Sequence, residues 1–142
     1  MFEEIKHNSK IIAIIVRNKF SKEGVTFFTP NDFSQQLAFM CHGKGKTIPP
    51  HVHNPVSRNI HFTKEILFIK KGKLRVDFYN ENKNYLESRV LLPGDVILLA
   101  EGGHGFEALE GLEMIEVKQG PYAGDSDKTR FEAVEKSKVV VR

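Results

Sequence analysis

The 142-residue sequence predicts an all-β chain, a single domain of antiparallel strands around one core. Short apolar stretches recur at close spacing, separated by Gly, Pro, Asn and Asp. The composition adds eleven Phe, no Trp and many Val and Ile, which suit pleated surfaces. Leu74, Val76 and Phe78 alternate with Arg75, Asp77 and Tyr79, as in a strand with one face turned to a core. So many short strands favour a sandwich or barrel.

In chain order, strands are expected at 10–17, 25–29, 36–42, 48–53, 65–70, 74–80, 85–91, 95–100, 105–109 and 112–118. Turns separate them where the chemistry demands: Lys71-Gly72-Lys73, the polar run 80–84, and Pro93-Gly94-Asp95. Helical signals are sparse. Residues 31–34 suit one capped turn, and 125–136 suit another near the end.

Charge narrows the function classes. The net charge is +3, and the Lys and Arg residues are interspersed with acids, so no basic stripe points to nucleic acid. The longest apolar run, 11–16, is too short to cross a bilayer, and the first ten residues lack the layout of a secretory signal. The lone Cys41 has no partner for an internal disulfide, in keeping with a reducing, cytoplasmic setting, and is expected as a small buried hydrophobe. The apolar segments 11–16 and 139–141 are the expected pairing surfaces of a homodimer.

Candidate chemistry gathers on histidine. On a strand, His51 and His53 project from one face at a separation that one cation can bridge, and Pro49 and Pro50 stiffen the approach. Glu65 opens the strand Glu65-Ile66-Leu67-Phe68-Ile69 and shares the face of Leu67 and Ile69, where a carboxylate requires a partner. His104 follows two glycines in a turn able to aim its ring inward.

Together these residues resemble the cupin superfamily. Its first motif runs from glycine through His-x-His and glutamate to a second glycine, and is met by Gly45, His51, His53, Glu65 and Gly72. The second resembles Pro93-Gly94-Asp95 followed by Gly102-Gly103-His104. The segment 116–122 narrows the resemblance to small single-domain cupin metalloproteins associated with bacterial surface-polysaccharide (O-antigen) biosynthesis, and the likeness covers roughly residues 35–131. The resemblance implies a cupin-type jelly-roll barrel with its core near 35–120, extended at both ends. It also implies one divalent metal, Zn, Fe, Mn or Ni, held by His51, His53, Glu65 and His104.

The loop between His53 and Glu65 is longer than the family's, and a rival register is open in which Asn59, His61 and Glu65 take the short spacing. The family's usual proline and final asparagine in the second motif are replaced by Ala100 and Ala108.

Four ligands leave open positions for substrate, so the resemblance implies a metal-dependent isomerase or epimerase acting on a sugar or sugar nucleotide. Arg58, His61, Lys118 and Tyr122 are the candidate substrate contacts. Two other readings use the same residues: an Fe(II)-dependent dioxygenase, and a non-catalytic barrel that grips a sugar.

Overall fold

The structure, a computed structural model, describes all residues from Met1 to Arg142. The chain is all-β with antiparallel sheets, and its only helical elements are the 3-10 turns Gly124–Asp127 and Lys136–Lys138. It forms two compact units, one of Met1–Phe20 with Phe62–Arg142 and the other of Ser21–His61.

The larger unit contains β1 (Phe2–His7), β2 (Lys10–Val16), β5 (Glu65–Lys71), β6 (Leu74–Tyr79), β7 (Tyr85–Leu91), β8 (Val96–Leu99), β9 (Gly103–Ala108) and β10 (Glu113–Lys118). A five-stranded sheet runs β1-β2-β8-β5-β10, and a three-stranded sheet runs β7-β6-β9. Both sheets contribute to one core: Ile15, Leu67, Ile69 and Ile97 from the first meet Leu74, Val76, Phe78 and Leu91 from the second, all with no exposed surface. Parity accounts for the choice of side chains. Leu67 and Ile69 face inward with Glu65, while Phe68 and Lys70 face out.

The alternation in β6 is only half realised. Leu74, Val76 and Phe78 enter the core as expected, but Asp77 and Tyr79 on the other face are buried too. Asp77 meets the Arg75 guanidinium through two hydrogen bonds of 2.8 and 3.0 Å and accepts the hydroxyl of the fully buried Ser88. The chain end covers this cluster, since Ser88 N–H donates to the Val140 carbonyl at 2.8 Å and Arg142 N–H donates to the Ser88 carbonyl at 3.0 Å.

The turn before β8 is held by Asp95. Its carboxylate accepts from Arg17 at 3.0 Å, from Asn18 N–H at 2.8 Å and from Leu92 N–H at 3.0 Å. Gly94 precedes it at φ +88°, and a Cβ there would lie 2.4 Å from the Asn18 side chain. The positive φ therefore favours glycine, and a Cβ would also displace the Asn18 side chain.

The smaller unit contains β3 (Gly24–Phe27) paired antiparallel with β4 (Ala38–Cys41). At 31–34, where one helical turn is expected, the chain makes a single hydrogen-bonded turn, with Phe33 N–H donating to the Pro30 carbonyl at 3.2 Å. The Gln36 amide adds donors to the Pro30 and Phe33 carbonyls at 2.9 and 2.8 Å. Cys41 is half-buried in β4.

The helical turn expected within 125–136 is present as the 3-10 turn Gly124–Asp127. Two expectations are corrected. Residues 48–53 form no strand, because Pro49 and Pro50 lack the N–H groups that a ladder needs. The segment 11–16 lies in β2, between β1 and β8, and Val141 bridges to Ser88, so both apolar stretches pair within the chain.

Candidate functional site

Glu65 is brought to the site by strand parity and β-pairing. It opens β5, between Leu99 of β8 and Lys118 of β10. His104 comes from the other sheet, on β9 opposite Phe78. The turn before it requires Gly102, which sits at φ +72° with the Tyr79 carbonyl only 2.4 Å from where a Cβ would be.

The two side chains meet: His104 Nε2 donates to Glu65 Oε2 at 3.1 Å, and Lys118 Nζ reaches Glu65 Oε1 at 3.2 Å. Glu65 is nearly buried at 9% exposure, so these two donors answer the requirement for a partner. The hydrogen bond from His104 is the main reason its carboxyl is held down at about 2; burial opposes the shift, and Lys118 assists it. In return, the Glu65 carboxylate raises the Lys118 ammonium above the ordinary lysine range.

Glu65 and His104 line an open cleft of about 590 Å³. Its walls carry the rings of Phe62, Tyr79 and Phe131, and its rim includes Lys83, Lys128 and Arg130. Residues of the chain end form one wall. Phe131 packs edge-on against Tyr79 with ring centres 5.0 Å apart, and Val134 N–H donates to the Tyr79 hydroxyl at 3.0 Å.

The other two histidines lie in the smaller unit. Their ring centres are 5.3 Å apart at a steep angle, and both are exposed. His51 Nδ1 donates to the Pro49 carbonyl at 3.0 Å, which leaves its Nε2 lone pair directed away. The rings are therefore neighbours although the strand expected to align them is absent.

Each pair suits a metal's donor geometry. Bonds of about 2.0–2.2 Å at right angles put two donor atoms about 3 Å apart on one ion. Glu65 Oε2 and His104 Nε2, at 3.1 Å, have that spacing. Two imidazoles on one ion have centres roughly 5 Å apart, close to the separation of His51 and His53, and the His51–carbonyl bond is the kind that fixes a ligating tautomer. Within its own unit, neither pair is joined by a third His, Cys, Asp or Glu.

The expected substrate contacts are dispersed. Arg58 and His61 are exposed in the irregular segment of the smaller unit. Lys118 is engaged by Glu65. Tyr122, at 89% exposure, borders a separate cavity of about 170 Å³ that Lys118 also lines. The cleft rings Phe62, Tyr79 and Phe131 were not foreseen. The Lys118–Glu65 pair was within reach of the sequence, because antiparallel pairing of the strands at 65–70 and 112–118 sets the start of one beside the end of the other.

Comparison with family models, with curated proteins and with solved structures finds no match to this chain.

Proposed function

We propose that this chain is a cupin-type metal-binding protein that acts on a carbohydrate as an isomerase or epimerase. The observation that carries the reading is the 3.1 Å approach of Glu65 Oε2 to His104 Nε2 at a cleft walled by aromatic rings. The resemblance of the sequence adds a closed jelly-roll barrel as the fold. A bound divalent ion supplies Lewis acidity toward a carbonyl oxygen.

The chain's own residues do the rest. Glu65 and His104 would each give one donor atom, and Lys118 stays on the second carboxylate oxygen, fixing the Glu65 rotamer and offsetting its charge. Phe62, Tyr79 and Phe131 offer ring faces and edges to the C–H surface of a sugar.

Isomerisation or epimerisation next to a carbonyl exchanges a carbon-bound proton with solvent. The test is to incubate the protein, loaded in turn with Zn, Mn, Fe and Ni, with a panel of aldoses and sugar nucleotides in heavy water and to follow deuterium entry by NMR. Incorporation that disappears in His104→Ala supports the proposal. Oxygen consumption by the iron form without deuterium entry would move the assignment to a dioxygenase, and ligand-dependent stabilisation without either would leave a binding protein.

A further inference from the structure

β10 is the last strand of its sheet and is hydrogen-bonded to β5 on one side only. Two other sheet margins are guarded. β1 carries the Lys6–Glu4 ion pair, and β7 is covered by the chain end through Val140 and Arg142. β10 has ion pairs only at its two ends, Glu113 with Lys71 and Lys118 with Glu65, and no segment of chain pairs with its outer edge. Ile115 and Val117 are 50% and 52% exposed, and Phe68, the β5 partner of Ile115, is 41% exposed. These three side chains share a face and form an apolar ridge ending at an unpaired backbone edge.

The order of charges along the strand identifies the occupant. Glu113 and Glu116 come first and Lys118 last. Antiparallel pairing with an identical strand brings acid beside base, whereas parallel pairing would set like beside like. A two-fold axis through Val117 places Glu116 opposite Lys118 of the partner subunit, twice, and Val117 against Val117 of the partner subunit. An axis through Glu116 would oppose two carboxylates, and one through Ile115 would leave Glu116 facing Met114.

We infer that two copies of this chain associate through β10, antiparallel about an axis at Val117, joining their five-stranded sheets into one continuous sheet. The inference does not rest on the metal reading, although Lys118, which pairs with Glu65, belongs to both.

Sedimentation velocity on the full chain across a dilution series tests it. The expected species has twice the 16.2 kDa chain mass, and Val117→Lys raises its dissociation constant by more than about tenfold. Disulfide trapping provides a second readout. In a Cys41→Ala background, Val117→Cys should cross-link two chains, since facing residues of antiparallel strands lie about 4.5–5.5 Å apart at Cα, within disulfide reach. Val52→Cys, at a more open position of 85% exposure, should not. A wild type that sediments as a monomer at every concentration overturns the inference. So does a folded Val117→Lys variant with unchanged association, or a dimer that Val117→Cys fails to trap. Should Val117→Lys not fold, the wild-type mass and the cysteine variant decide.

Discussion

Asp95 and Glu3 illustrate how single carboxylates hold distant segments together. Asp95 is 4% exposed and accepts three hydrogen bonds, one of them from Arg17. Asp95→Ala removes both carboxylate oxygens and so breaks all three hydrogen bonds, orphaning the Asn18 and Leu92 N–H groups and leaving Arg17 with Glu3 alone, so it should cost about 2–3 kcal/mol in urea unfolding. Glu3 bridges Arg17 at 2.6 Å and Arg89 at 3.0 Å. Burial tends to raise its carboxyl pKa, but the hydrogen bonds and charges of the two arginines outweigh burial and hold it below 4.5. A carboxylate with a lowered folded-state pKa contributes stability that is complete above its unfolded value and is lost as pH falls through the folded one. Glu3→Gln should therefore weaken the protein at neutral pH and flatten its loss of stability below about pH 4.5. Unfolding midpoints measured from pH 7 down to pH 3 check this, and parallel wild-type and variant curves would count against it.

Among the elements, legibility in the sequence followed the source of the ordering. Strands set off by the turn residues at 71–73 and 80–84, β5, β6 and β7, lie within a residue of expectation, and the inward parity of Glu65 was readable from Leu67 and Ile69. β1 was not readable. Its sequence, FEEIKH, has one buried residue, Ile5, and it is a strand because β2 pairs with it. The irregular chain end is another case of tertiary ordering, secured by the hydroxyls of Tyr79 and Tyr85, which accept from Val134 and Val140 at 3.0 and 2.8 Å. No local pattern announces such long-range anchors. Half of the candidate site was legible for the same reason: Glu65 and His104 follow from strand parity and a glycine turn, whereas Phe131 reaches the cleft only through the path of the chain end. Tyr79→Phe keeps the ring contact and removes the acceptor, at about 1 kcal/mol, which should speed tryptic cleavage after Lys128 and Arg130 roughly fivefold. An unchanged cleavage rate would show that the hydroxyl does not restrain this wall of the cleft.

For the molecule as a whole, one core links the two sheets of the larger unit, and Phe78 is the largest side chain fully enclosed in it. Phe78→Ala should cost about 3–5 kcal/mol, and the loss should appear in probes of both sheets together. That shared core also fixes the distance between Glu65 on one sheet and His104 on the other, so the spacing of the two donor atoms is a property of the packed sandwich. The central claim is that this spacing holds a divalent ion, and the most direct measurement is the metal content of the purified chain after exposure to Zn, Fe, Mn and Ni, beside folded Glu65→Gln and His104→Ala variants. The account predicts about one tightly held ion per wild-type chain and loss of at least tenfold in affinity for either variant. A wild type that retains none of the four metals, or variants that bind as tightly as the wild type, would contradict it.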